Sequence, residues 1–147
     1  MELYVCGVCG HVAFGAAPDK CPVCGAAKTS FKADANALKK PADPKNLTDG
    51  DKKHIPAFTV VKQCALIPGA CMDVHVKIGS VLHVMEEKHW IMWIDTYLNR
   101  KFVARYEMSP NGPNPCVGMH LKNTTSGVLT AIENCNIHGK WMADVEI

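Results

Sequence analysis

Two C-x-x-C-G turns, Cys6-Gly7-Val8-Cys9-Gly10 and Cys21-Pro22-Val23-Cys24-Gly25, stand eleven residues apart near the start of the chain. In such a turn, backbone N–H groups point at a ligating sulfur while Gly takes the positive φ that closes the loop. Two of them face to face make a tetrahedral cage of four thiolates, which suits zinc or iron. A segment this short cannot bury a core of its own, so the metal must hold it together. Residues 1–35 are therefore expected as a four-cysteine metal domain ligated by Cys6, Cys9, Cys21 and Cys24. His11, just after the first turn, is expected at the surface rather than as a fifth ligand.

Residues 36–50 contain two prolines and three lysines with little to bury, and predict an extended, solvated linker that ends in a turn at Leu47-Thr48-Asp49-Gly50. Beyond it the period is two. Val74, Val76 and Ile78 alternate with His75 and Lys77; Val117, Met119 and Leu121 with Gly118, His120 and Lys122; Phe102, Ala104 and Tyr106 with Val103 and Arg105; and Trp141, Ala143 and Val145 with Met142, Asp144 and Glu146. Turn-rich segments such as Ile67-Pro68-Gly69 and Ser109 to Pro115 separate these runs. The pattern predicts about seven short strands and, for residues 51–147, an antiparallel β-sandwich of immunoglobulin-like architecture. Helix signals are weak, with one turn expected at Glu86-Glu87-Lys88. The whole chain reads as mainly β.

The same alternation sorts the seven histidines. His75 and His120 share faces with lysines and should meet solvent. His54, His83, His89 and His138 fall in loops or at strand ends, where sites are usually built. Cys135 lies three residues before His138, close enough for one turn to present both to a single ion. Four imidazoles and a thiolate fill five positions on a metal and leave the sixth open. Cys64, Cys71 and Cys116 have no such company and are expected to behave as small buried hydrophobes.

These residues carry two resemblances. Tyr4 to Val12, Pro18 to Ala26 and Phe31 resemble the short rubredoxin-like domain of rubrerythrins, which implies an iron centre carrying one electron; a zinc ribbon that only folds the segment stays open beside it. Lys53-His54-Ile55-Pro56, Gly79 to Met85 with His89 to Ile94, and Cys135-Asn136-Ile137-His138-Gly139 resemble the motifs of the superoxide reductases, the desulfoferrodoxin and neelaredoxin family. That resemblance spans residues 51–147. It implies a non-haem iron held in the plane by His54, His83, His89 and His138, with Cys135 axial, opposite the open position. It implies binding through the δ nitrogen of His138 and the ε nitrogens of the other three. The reaction implied is O₂•⁻ + e⁻ + 2H⁺ → H₂O₂, with superoxide as substrate and rubredoxin or a similar small protein as electron donor. A homo-oligomer, dimer or tetramer, is implied as well.

An anionic substrate needs a placed cation, and Lys53 beside His54 is the candidate catalytic residue. Many family members carry Glu immediately before this Lys. Here that position is Lys52 and the nearest acid is Asp51, so either Asp51 replaces the Glu or the sixth position has no carboxylate. The two-iron members usually carry adjacent third and fourth cysteines in their first segment, from which Cys21-Pro22-Val23-Cys24 departs.

Net charge is +2; residues 1–46 hold six Lys against four acids, and residues 47–147 hold ten basic against ten acidic residues. Neither part has the footprint of a nucleic-acid binder. No basic and apolar leader is read at Met1-Glu2-Leu3-Tyr4, and no run reaches the ~18 apolar residues of a membrane span. Paired C-x-x-C turns without a leader indicate metal binding in a reducing cytoplasm rather than a disulfide framework. The competing classes are an iron electron-transfer or redox-sensing protein without oxygen chemistry, and a zinc-ribbon binding module. Dismutation of superoxide is a neighbouring activity, which strong thiolate donation disfavours by stabilising Fe(III).

Overall fold

The computed structural model describes all 147 residues. Three short antiparallel strands, β1 (Leu3–Cys6), β2 (Val12–Phe14) and β3 (Phe31–Ala33), pair in the order β2-β1-β3. Their interior is mostly sulfur: Cys6, Cys21 and Phe31 are buried, with Tyr4, Cys9 and Val23 packed against them. Gly10 and Gly25 take φ of 75° and 76° and close the two turns by donating to the carbonyls of Cys6 and Cys21, each at 2.9 Å.

A helix follows where a turn was expected. α1 (Asp49–His54) is only six residues long and has no apolar stripe, so hydrophobic periodicity could not reveal it. It is held by its ends: the Thr48 hydroxyl accepts from the Asp51 N–H while the Asp51 carboxylate accepts from the Thr48 N–H, a reciprocal capping box. Acids occupy its first turn and Lys52, Lys53 and His54 its last, as the helix dipole favours.

Seven strands complete the chain: β4 (Pro56–Val61), β5 (Cys71–Ile78), β6 (Ile91–Leu98), β7 (Lys101–Glu107), β8 (Cys116–Lys122), β9 (Val128–Cys135) and β10 (Gly139–Glu146). They form a four-stranded sheet, β10-β9-β6-β7, and a three-stranded sheet, β4-β5-β8, with every pairing antiparallel. The mainly β sandwich expected from the alternation is the architecture found. Val76, Ile78, Ile91, Ile94 and Ala131 pack between the sheets, and the Cys135 side chain closes that core at one end. Met72, Val74 and Leu129 fill the other.

Alternation fails in β6, where six of eight residues are buried. One face of this strand meets the second sheet and the other is covered by the N-terminal unit: Val12 packs with Trp93, Tyr97, Ile132 and Met142. His11 is drawn into this interface. Expected at the surface, it is buried, with Nδ1 3.1 Å from Asp95 Oδ2. The Arg105 guanidinium donates to both Asp95 oxygens at 2.6 and 2.8 Å, to the Cys9 carbonyl at 2.8 Å, and lies 3.9 Å above the Trp93 ring. The Tyr97 hydroxyl donates to the Val12 carbonyl at 2.9 Å.

The connector is pinned at one residue. Lys39 bridges in parallel to Trp141 on β10, donating its N–H to the Lys140 carbonyl at 2.9 Å. Glu86-Glu87-Lys88, expected as a helical turn, is instead the tip of a tight hairpin in which Glu86 and His89 exchange backbone hydrogen bonds of 3.0 and 2.9 Å. The three remaining cysteines also differ from expectation: Cys116 is exposed, and Cys64 and Cys71 are joined as a disulfide. No helix is long and apolar enough to cross a membrane.

Candidate metal centres

The first cluster is built from turns. The Sγ atoms of Cys6 and Cys24 stand 3.7 Å apart and those of Cys9 and Cys21 3.5 Å apart, all unbonded. Burial raises the Cys9 and Cys21 thiols, whereas the Ala26 N–H helps bring exposed Cys24 down to about 7. Four sulfurs with so little room between them are a donor set that a cation would satisfy.

The second cluster draws on four separate places. α1 ends at His54, the segment after β5 supplies His83, the hairpin before β6 supplies His89, and the β9–β10 turn supplies Cys135 and His138. Their ligand atoms all lie within 4.8 Å of one another. The four imidazoles form a square. Ring centroids are 4.8 Å apart for His54–His83, 4.6 Å for His83–His89, 4.9 Å for His89–His138 and 4.8 Å for His138–His54. Each ring is tilted 69° to 82° from its neighbours, so edges rather than faces converge. Cys135 comes from the core, 2% exposed, with Sγ 3.6 Å from His138 Nδ1.

Hydrogen bonds outside the square orient the rings within it. His54 Nδ1 donates to the Gly50 carbonyl at 2.8 Å and His83 Nδ1 to the Val84 carbonyl at 2.6 Å, which leaves each Nε2 as a lone pair facing inward. His54 Nε2 faces His138 Nδ1 at 3.1 Å. The Nε2 atoms of His83 and His89 are buried without any partner. Burial pushes His54 below the ordinary imidazole value and His83 down to about 4. It also lowers His89, where the charges of His138 and Lys53 add to the effect. These rings are neutral near pH 7 and ready to ligate. The Cys135 thiol is pushed up, first by burial, against the His138 and Ile137 N–H groups that favour the thiolate. Two adjacent rings whose ligand nitrogens face each other, and two orphaned buried nitrogens, are the donor set a cation would satisfy.

Lys53 is exposed on α1, near enough for its charge to register at His89. Asp51 is 6% exposed and its carboxylate is committed to the Thr48 cap, so it does not stand in as a carboxylate for the sixth position. Lys52 is exposed; its carbonyl accepts from the Val81 N–H at 3.0 Å and so ties α1 to the segment bearing His83. Three supports stand behind the ligands. Trp141 stacks on the His54 ring at 5.0 Å and 18°. Asn136 accepts from the Trp90 N–H and donates to the Lys88 carbonyl, clamping the His89 hairpin against the Cys135 turn. Lys39 Nζ donates to the His138 carbonyl at 2.7 Å. Trp141 and Asn136 flank the ligands in sequence and could have been suspected, but nothing in the connector singles out Lys39.

Comparison with known proteins agrees with this arrangement. The family model described as Desulfoferrodoxin matches residues 46–144, two thirds of the chain, and that described as Rubrerythrin, rubredoxin-like domain matches residues 4–32. The chain belongs to the desulfoferrodoxin family. Among desulfoferrodoxin relatives, a desulfoferrodoxin homolog of Archaeoglobus fulgidus is 30% identical over 143 residues, covering 97% of this chain and 96% of that one. A desulfoferrodoxin of Syntrophotalea carbinolica is 29% identical, covering 85% and 93%. The solved superoxide reductase (neelaredoxin) of Ignicoccus hospitalis is 32% identical over 64% of this chain and 79% of its own, with a TM-score of 0.52. The superoxide reductase of Treponema pallidum, 23% identical, shares the fold across 97% of this chain and 99% of its own at a TM-score of 0.58.

Proposed function

We propose that this protein is a superoxide reductase that converts superoxide to hydrogen peroxide, O₂•⁻ + e⁻ + 2H⁺ → H₂O₂, at a non-haem iron. His54, His83, His89, His138 and Cys135 would hold the iron, which supplies one-electron chemistry when bound. The observation that carries the reading is the square of four edge-converging imidazoles with one core-side sulfur. Mixed nitrogen and thiolate donors of this kind suit iron, and carriers that only pass electrons normally close the first shell.

The chain's own residues do the rest. The Gly50 and Val84 carbonyls fix the tautomers of His54 and His83. Lys53 supplies the exposed cation that draws an anionic substrate toward the site, an effect worth about 10-fold or more in on-rate and lost with salt. Cys135, as a thiolate when it holds the metal, would put its negative charge on the buried side, away from the solvent from which substrate arrives. Cys6, Cys9, Cys21 and Cys24 would hold a second iron as the electron-entry centre, in a domain of residues 1–35 joined by residues 36–50 to the catalytic sandwich of residues 51–147. A rubredoxin-like protein would be the donor and a homo-oligomer the assembled form. A requirement for free thiolates at five positions supports a reducing compartment such as the cytoplasm.

Anaerobic purification with metal analysis and an optical spectrum tests the reading. Two irons per chain, a thiolate-to-Fe(III) band lost in Cys135→Ser, and one peroxide formed per superoxide consumed are expected. One peroxide per two superoxides would make the activity dismutation, and zinc in the four-histidine site would overturn the reading altogether.

A further inference from the structure

The outer face of the three-stranded sheet carries a further group of reactive side chains, separate from both clusters. Cys64 lies in the loop between β4 and β5, Cys71 opens β5, and His120 lies in β8 directly across from Asp73. His120 Nδ1 stands 3.2 Å from each of the two sulfurs. Asp73 Oδ1 lies 4.0 Å from the same nitrogen, and the Asp73 carboxylate also holds His75 Nε2 at 3.1 Å. Lys122 pairs across the strands with Cys71, and Lys62 lines a cavity of about 590 Å³ beside the disulfide together with Pro68 and Asn123. Cys71 is buried, Cys64 is half-buried, and the His120 side chain is 40% exposed.

A structural disulfide needs no imidazole against both sulfurs and no open cavity beside it. A reactive one does, because an adjacent imidazolium stabilises the attacking thiolate and access decides which sulfur is attacked. The other six cysteines of the chain are free, and five of them belong to clusters that work only as thiolates. Under conditions that keep those reduced, a disulfide is transient and functional.

We propose that Cys64 and Cys71 are a peroxide-reactive dithiol, with His120 as its proton carrier and hydrogen peroxide as its oxidant. The half-buried Cys64 thiolate attacks one peroxide oxygen. The O–O bond breaks, Cys64 becomes a sulfenic acid, and the departing hydroxide takes the proton held by His120 and leaves as water. The Cys71 thiolate then attacks the Cys64 sulfur; the S–S bond forms, the S–O bond breaks, and the second hydroxide is protonated to water. Two thiols and one H₂O₂ thus give one disulfide and two waters, the thiols supplying both electrons. A dithiol reductant returns two electrons and two protons by exchange. The supply of peroxide from the same chain rests on the function proposed above; the chemistry of the pair does not.

The test uses full-length holoprotein with its thiols reduced, one equivalent of added H₂O₂, N-ethylmaleimide trapping over time and peptide mass mapping. Cys64 and Cys71 are expected to lose alkylation together, and to regain it with a dithiol. In Cys71→Ser, dimedone is expected to capture a sulfenic acid on Cys64. In His120→Gln, oxidation at pH 7 should slow about 10-fold and its pH profile move upward, with superoxide turnover unchanged. The proposal is overturned if the two thiols survive peroxide, if His120→Gln keeps the wild-type rate and profile, or if added Zn²⁺ binds as a third metal that protects both thiols. Added peroxide tests the dithiol alone, because it needs no turnover at the four-histidine site; failure of the iron-site reading would show instead as loss of the one-to-one yield of peroxide from superoxide.

Discussion

Replacing Arg105 by Met should show how strongly the N-terminal unit is bound to the sandwich. Asp95 is 0% exposed, and Arg105 is the permanent cation paired with it, through bonds of 2.6 and 2.8 Å; a third guanidinium bond reaches the Cys9 carbonyl. Met keeps most of the volume and the packing on Trp93, so the loss is mainly electrostatic. A buried carboxylate stripped of its partner costs about 3–5 kcal/mol. His11, 3.1 Å away, keeps a hydrogen-bonding contact with the carboxylate, which favours the lower end. At about 2–4 °C per kcal/mol for a chain of this size, the melting temperature should fall by roughly 10 °C. Circular dichroism melts of metal-loaded Arg105→Met and Asp95→Asn, and of the double variant, measure the coupling. Each single change should be worse than the pair taken together would suggest, because each strands one charge and the double variant strands none. A fall of less than about 2 °C in Arg105→Met would place this ion pair with weak surface bridges and refute the reasoning.

Three further outcomes follow from the geometry. Lys53→Ala should slow the second-order reaction with superoxide about 10-fold at low salt and flatten its ionic-strength dependence, followed by pulse radiolysis or stopped flow. Unchanged rates would remove Lys53 from the mechanism. Gly79 has φ +84°, and a Cβ there would strike the Val81 carbonyl and come within 2.7 and 2.8 Å of the Lys53 and Lys52 carbonyls. Gly79→Ala should therefore separate His54 from His83 and reduce iron content at the four-histidine site while leaving the four-cysteine site loaded, as read by metal analysis. The Asp144 carboxyl is held below the usual range: burial opposes this, but hydrogen bonds from Arg100 and Thr130 prevail. A depressed folded pKa means stability present above the unfolded value near 4 and lost as pH falls through the folded one. Asp144→Asn should flatten the acid limb of the melting-temperature profile, and an unchanged limb would contradict this.

What could be read in advance depended on whether the governing physics was local. β5 was plain because one of its faces meets the core and the other meets water, giving Val74, Val76 and Ile78 against His75 and Lys77. The five residues of the four-histidine group were recognisable because His and Cys rarely accumulate in loops without a shared task, and they do lie together. α1 escaped because six residues carry no stripe; Thr48 and Asp51, three apart, were its only announcement. His11 was misplaced because its burial depends on β6 and β7, more than eighty residues away, which no local pattern reports. The same distance hid the meeting of Cys64 and Cys71 with His120, whose outward position on β8 was legible while the loop folding back onto it was not.

The packing of Val12 onto Trp93, Tyr97, Ile132 and Met142 gives the first thirty-five residues a second occupation. A shortened chain beginning near Thr48 would turn that aromatic and thioether surface, along with the Asp95 carboxylate, out into water. It would then have to recruit another molecule to shield it, or acquire polar residues there. The little four-cysteine segment is thus also a roof, and trimming it away to isolate the catalytic half would change the solubility of what remains before it changed the chemistry.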